Sequence, residues 1–160
     1  MIGHDQLCDY SLFGGLAAAE LEFVEALMQR EHYPSAYDII REGEAGHRIY
    51  FLLEGSAAVL VRCAGPDGEL EAVATLHAGQ TFGEMEILDT QPRTATVRSL
   101  SEVTCLTLSS HDLYAIKHWR LETFTIIIMN LARDVSRRLR RMDRRYLAAL
   151  HHEIGKEQPA

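Results

Sequence analysis

The residues best suited to chemistry lie together in mid-chain, in Gly79-Gln80-Thr81-Phe82-Gly83-Glu84-Met85-Glu86-Ile87-Leu88-Asp89-Thr90-Gln91-Pro92-Arg93-Thr94-Ala95-Thr96-Val97. A glycine allows the backbone to approach a ligand closely. The first N–H groups of a helical turn beginning near Glu84 have no internal partners and can point at an anion. Arg93 can add a bidentate, charge-assisted contact. Taken singly, each residue has a plainer reading. Arg93 could be a loop arginine paired with Asp89, Glu84 a first-turn acid complementing a helix dipole, and Gly83 a bulge residue. Gathered in one short segment, they can together cradle an anion.

The elements that must position this cradle follow from periodicity. Leu16, Leu21, Val24, Leu27 and Met28 suggest a short amphipathic helix over Leu16 to Arg30, with a break at Pro34. From Tyr37 to Leu108 come short apolar, β-branched runs: Ile39-Ile40, Ile49 to Leu53, Ala57 to Val61, Glu71 to Leu76, Thr94 to Val97 and Val103 to Leu108. Turn residues separate them at Gly43, Gly46, Glu54-Gly55, Gly65-Pro66-Asp67-Gly68 and Ala78-Gly79. Many short strands with reversing turns predict an antiparallel jelly-roll barrel. A short helical piece from Asp112 to His118 follows, capped by Ser109 or Ser110. A long helix is then predicted from Leu121 to His151, with Phe124, Ile128, Leu131, Val135, Leu139, Met142, Tyr146 and Leu150 forming one apolar stripe. The expected fold is mainly β with flanking α: one domain over 1–160, with an N-terminal helical segment 1–36, a jelly roll 37–110, and a hinge with C-terminal helices 111–152.

Phe82-Gly83-Glu84 followed by Pro92-Arg93-Thr94-Ala95 resembles the phosphate-binding cassette of the cyclic nucleotide-binding domain family, here residues 82–95. The stretch from Glu42-Gly43 to Glu54-Gly55 resembles that family's glycine-marked hairpin, and the resemblance extends over roughly Leu12 to Arg145. It implies that Gly83 offers its backbone amide, Glu84 accepts the ribose 2′-hydroxyl and Arg93 pairs with the cyclic phosphate. Thr94 would sit beside phosphate and base, where a threonine can favour cyclic GMP. The amides of Glu86 and Ile87 would complete the anion site, and Val59, Val61 and Val73 would wall the purine. Arg133 or Arg137, from the long helix, would reach the base. The implied ligand is cAMP or cGMP, with no further cofactor, and the implied role is a sensor that signals by moving its C-terminal helix.

One position departs from the family pattern, which usually has a small residue where this chain has Glu86. Pointing outward, that side chain leaves the site intact. Pointing inward, it pairs with Arg93 and opposes a phosphate. A domain that keeps the fold for interaction or dimerisation and binds no nucleotide is therefore the rival reading. A cupin-like metalloenzyme is a more distant one.

Composition bounds what remains. The chain has 160 residues, is 47% hydrophobic and 24% charged, and carries a formal net charge of −7, which disfavours a general nucleic-acid binder. Residues 133–145 reverse the sign locally, with seven arginines against two aspartates. Arginine on the polar side of an apolar stripe suits a solvated dimer helix, so a homodimer through the C-terminal helix is expected and direct DNA recognition is not. No His-x-His motif occurs among the eight histidines. Cys8, Cys63 and Cys105 are isolated, as expected of reduced thiols in a cytoplasmic protein, with Cys63 and Cys105 acting as small strand fillers. No apolar run reaches the length of a membrane span. A non-enzymatic module acting through a downstream protein is the expectation.

Overall fold

The computed structural model describes Leu7, residues 9–63 and residues 68–154, with side chains through 148. Eight strands form two antiparallel four-stranded sheets. They are β1 (Gln29–Tyr33), β2 (Asp38–Ile40), β3 (Arg48–Glu54), β4 (Ser56–Arg62), β5 (Leu70–His77), β6 (Thr81–Phe82), β7 (Thr96–Ser99) and β8 (Val103–Ser109). One sheet runs β1-β8-β3-β6 and the other β2-β7-β4-β5, a jelly-roll arrangement. The helices are α1 (Ala18–Leu27), α2 (Met85–Asp89), α3 (Ser110–Trp119) and α4 (Leu121–Ile154).

The continuous apolar run of β3 has a physical cause: both of its faces are covered. Ile49 and Phe51 face the helical layer, packing with Leu21, Val24, Leu106, Leu108, Ile116, Ile127 and Leu131. Tyr50 and Leu52 face the space between the sheets, with Ile40, Ala57, Phe82, Val97 and Cys105. Strand β5 is covered on neither side along most of its length, and its Val73 is 55% exposed.

The helices are tied down by polar contacts at their ends. Ser109 caps α3 by accepting from the Asp112 N–H at 3.1 Å, while the Asp112 carboxylate accepts from the Ser109 N–H at 2.8 Å. The Asn130 side chain of α4 donates to the carbonyls of Leu12 (3.0 Å) and Gly14 (2.8 Å), anchoring the long helix to the N-terminal segment.

Several boundaries differ from the sequence reading. The N-terminal helix stops at Leu27, and 29–33 is a strand whose polar residues pair with Val103 to Thr107 of β8. Backbone pairing, with Glu31 held by Arg48 at 2.6 Å, outweighs that segment's weak intrinsic preference. The short helix predicted over Asp112 to His118 is α3, which begins two residues earlier and ends one residue later and takes in the whole segment read as a hinge. Thr94 and Ala95 precede β7. Cys63 lies beyond the end of β4, exposed, its thiol donating to Glu71 at 3.1 Å, so it fills no strand interior. The Gly65-Pro66-Asp67 turn and Cys8 lie outside the described residues. The apolar stripe of α4 divides in two. Leu131 is buried on the domain, next to Ile127, which is not part of the predicted stripe, whereas Leu139, Met142 and Tyr146 are 58%, 61% and 67% exposed. Among the described residues no helix is long and apolar enough to cross a membrane.

Candidate functional site

The segment between β6 and β7 folds over the end of the barrel and bounds a cleft of about 130 Å³. Phe82 closes the barrel interior, stacked on Tyr50 with ring centroids 4.9 Å apart. The chain then turns through Gly83 at φ +76°, where a Cβ would lie 2.6 Å from Arg93 Nη1 and 2.9 Å from the Arg48 carbonyl. Only glycine fits that turn without displacing both.

Arg93 is 8% exposed and held from several directions. Its Nη1 donates to the Gly83 carbonyl at 2.9 Å, its Nη2 to the Arg48 carbonyl at 3.2 Å, and its Nε lies 2.8 Å from Glu86 Oε1. Its own N–H donates to the Glu44 carbonyl (2.9 Å), and its carbonyl accepts from Gly43 (2.8 Å), so the β2–β3 loop fixes its backbone. Gly46 of that loop packs so tightly that a Cβ there would collide with the Glu86 carboxylate and the Arg93 guanidinium.

Glu86 therefore points inward. Burial raises its pKa above the ordinary carboxylate value; Arg93 pulls it back and Asp89 raises it further. Glu84 is 1% exposed, and its Oε1 lies 2.6 Å from Nη1 of Arg138, which reaches down from α4. Both contacts bring charges together without aligning an N–H on an oxygen. All four carboxylate oxygens of Glu84 and Glu86 are buried and lack a hydrogen-bond partner among the described residues. Buried acceptors in that condition carry a desolvation cost that a donor could relieve.

Of the residues singled out in the sequence, Phe82, Gly83, Glu84, Glu86, Arg93, Thr94 and Val59 line the cleft. Thr94 is exposed at its edge. Val61 and Val73 are not among the lining residues. The Ile87 side chain packs against the helical core, and its N–H donates to the Glu84 carbonyl at 3.1 Å, closing the first turn of α2. Neither Arg133 nor Arg137 enters the cleft: Arg133 donates to Asn130 Oδ1 at 2.8 Å, and Arg137 pairs with Asp134 at 3.3 Å. The helix instead presents Arg138, seven residues beyond the buried Leu131 and so on the same face. That phase was available in the sequence. The close approach at Gly46 was not, since nothing local sets it apart from an ordinary turn glycine.

Residues 30–118 match the family model described as the cyclic nucleotide-binding domain. The chain is 30% identical over 132 residues to the cyclic AMP receptor protein of Thermus thermophilus, covering 82% of this chain and 58% of that relative. The crystal structure of the Thermus thermophilus catabolite activator protein matches with a TM-score of 0.75 at 31% identity, covering 88% of this chain and 63% of that one. The regulatory subunit of a cAMP-independent protein kinase A from Trypanosoma cruzi, bound to guanosine, matches with a TM-score of 0.69 at 26% identity, covering 81% and 43%. The chain thus spans less than two thirds of the length of each of these proteins. With over half its length matched by the family model, and the glycine, carboxylate and arginine of the cassette gathered around one cleft, the chain belongs to the cyclic nucleotide-binding domain family.

Proposed function

We propose that this protein is a regulatory module, not an enzyme, that takes a cyclic purine nucleotide in the cleft and relays its presence through α4. The observation that carries this reading is the pairing of an acceptor and a cation on one short segment: the buried, donor-hungry Glu84 carboxylate and the buried Arg93 guanidinium. A ribose 2′-hydroxyl supplies the donor that Glu84 lacks. The cyclic phosphate takes the place of the Glu86 carboxylate on Arg93, a charge-for-charge exchange. Val59, Leu76 and Val97 give the base an apolar wall.

The relay runs through Arg138. A ribose hydroxyl on Glu84 competes for the carboxylate that Arg138 now touches, so ligand and helix position are linked. The signal can be no larger than the ligand's preference between the two positions of α4. The exposed Leu139, Met142 and Tyr146 form an apolar surface that suits a second copy of this helix, making the working unit a cytoplasmic homodimer that acts on a downstream protein. Cyclic AMP is the first ligand to try, because the Thermus thermophilus relative is named for it.

Calorimetric titration of refolded, ligand-stripped protein with cyclic AMP and cyclic GMP tests this reading. Micromolar or tighter binding of either is expected. Arg93→Ala should weaken it by about 10- to 150-fold, the worth of one charge-assisted contact. No heat from either ligand, with wild type and variant alike, would leave the fold as an interaction domain.

A further inference from the structure

A second cavity, of about 210 Å³, lies against the β2–β3 loop and shares only Ile40 and Arg93 with the cassette cleft. Its chemistry is the reverse of the cleft's. The cleft is lined by the carboxylates of Glu84, Glu86 and Asp89 against two guanidiniums, those of Arg93 and Arg138. The second cavity is lined by Arg41, Arg48 and Arg93 against the single carboxylate of Glu44. Arg93 is committed to Glu86 at 2.8 Å, so the cations left for a ligand here are Arg41 and Arg48.

These two arginines have donors to spare. Asp38 and Glu44 stand 3.8 and 4.0 Å from Arg41, beyond hydrogen-bond reach, and Asp38 is already held by Arg98. Arg48 gives Nη1 to Glu31 at 2.6 Å, while its Nε and Nη2 have no acceptor among the described residues. The loop adds the consecutive N–H groups of Ala45, Gly46 and His47, which also find no acceptor among the described residues. Successive free amides in a turn make a nest for an anion. Tyr50, 8% exposed, lines this cavity and not the cleft, and its hydroxyl makes no hydrogen bond among the described residues. A side chain so buried ordinarily has a partner. Donors therefore outnumber acceptors, and the one competing carboxylate, Glu44, is 61% exposed and can turn to solvent. An oxyanion, with several acceptor oxygens and no donor of its own, is the complement of such a site.

We propose that the cavity under the β2–β3 loop is a second ligand site, separate from the cassette, that takes a phosphate group, either as the free ion or as a small monoester. Arg41 and Arg48 supply charge-assisted N–H donors, and the amides of Ala45, Gly46 and His47 with the Tyr50 hydroxyl complete the shell. The Glu86–Arg93 pair stays closed and serves as wall, not as ligand.

The test is a titration of the full, ligand-stripped chain followed by amide chemical shifts, with inorganic phosphate and with phenyl phosphate, each against chloride at equal ionic strength. Saturable shifts centred on the amides of Ala45, Gly46 and His47 are expected for at least one of the two, at about millimolar affinity or tighter. The tighter ligand identifies the free ion or the ester as the source of the phosphate group. Arg41→Ala and Arg48→Ala should each weaken binding by about fivefold or more. Should Arg48→Ala fail to fold once Glu31 has lost its partner, Arg41→Ala, a change at an exposed side chain, decides. Three results overturn the inference: no saturation with either phosphate, an affinity that Arg41→Ala leaves unchanged, or shifts centred on Gly83 to Ile87 instead of on the loop. The last would mean that phosphate enters the cassette, which supports the cyclic nucleotide reading. The first two leave that reading untouched, since no cyclic nucleotide enters the titration.

Discussion

Two regions of this molecule bury glutamates, and they treat them in opposite ways. Glu20, 6% exposed at the start of α1, receives a hydrogen bond at each carboxylate oxygen: from Thr123 Oγ1 at 2.7 Å and from the Ala17 N–H at 2.7 Å, with Arg120 at 3.3 Å. Those hydrogen bonds hold its pKa below the usual carboxylate value against the effect of burial. Glu84 and Glu86 are buried as deeply, yet their oxygens have no aligned donors, and burial drives Glu86 upward. One carboxylate finishes a structure, stapling α1 to α4. The other two leave an account open that a ligand can close. A fully satisfied polar cluster stabilises a fold, and an unsatisfied one in a cleft marks where binding can do so.

The sharpest way to break this contrast is to remove the cation from the unsatisfied region. Arg93→Ala leaves Glu86 buried beside Asp89 with no counter-charge, and should lower stability by about 3 kcal/mol as read by urea unfolding. Adding Glu86→Ala should restore most of that loss. A double variant as unstable as Arg93→Ala alone would mean that Arg93 acts through the Gly83 and Arg48 carbonyls rather than through the charge of Glu86.

The satisfied region should respond differently. Glu20→Ala removes its hydrogen bonds to Thr123 and the Ala17 N–H and should cost about 2 kcal/mol, while cyclic nucleotide affinity stays within about twofold of wild type. A large change in affinity would show that α1 and its contact with α4 belong to the relay.

The two regions also differ in how far sequence reveals them. Strands β3, β4 and β8 follow from runs of apolar, β-branched residues between glycine turns, because burial and backbone pairing act together there, whereas the exposed β5 is held by its pairing with β4. Strand β1 does not, because Gln-Arg-Glu-His-Tyr has no apolar alternation and owes its conformation to β8. Gly83, Glu84 and Arg93 are recognisable by spacing, since a short segment fixes their relation. The inward turn of Glu86 depends on Gly46, forty residues away in the chain. The Glu84–Arg138 contact depends on which of the arginines between 133 and 145 the phase of α4 turns toward the domain, which residue type alone does not say. Likewise Glu20 reads as one more acid on an amphipathic helix until Thr123 and Arg120 are brought to it.

The smallest expected effect lies in protons, and there the two regions should carry opposite signs. Glu20, with its folded pKa lowered, contributes stability that is present above the ordinary value of 4.5 and is lost as pH falls through its lower folded value. Glu86, with its folded pKa raised, is easiest to bury when protonated. Its contribution is fully present below 4.5 and is lost as pH rises through its higher folded value. A cyclic phosphate on Arg93 removes the one neighbour that pulls Glu86 downward and adds a negative charge beside it, so its pKa must rise further on binding. Cyclic nucleotide binding at a pH above the ordinary carboxylate value should therefore take up protons, seen as a dependence of the observed heat on the ionisation enthalpy of the buffer, and affinity should increase as pH falls. Glu86→Gln has nothing to titrate there and should show neither effect. Uptake that survives in Glu86→Gln would place the titrating group elsewhere in the cleft.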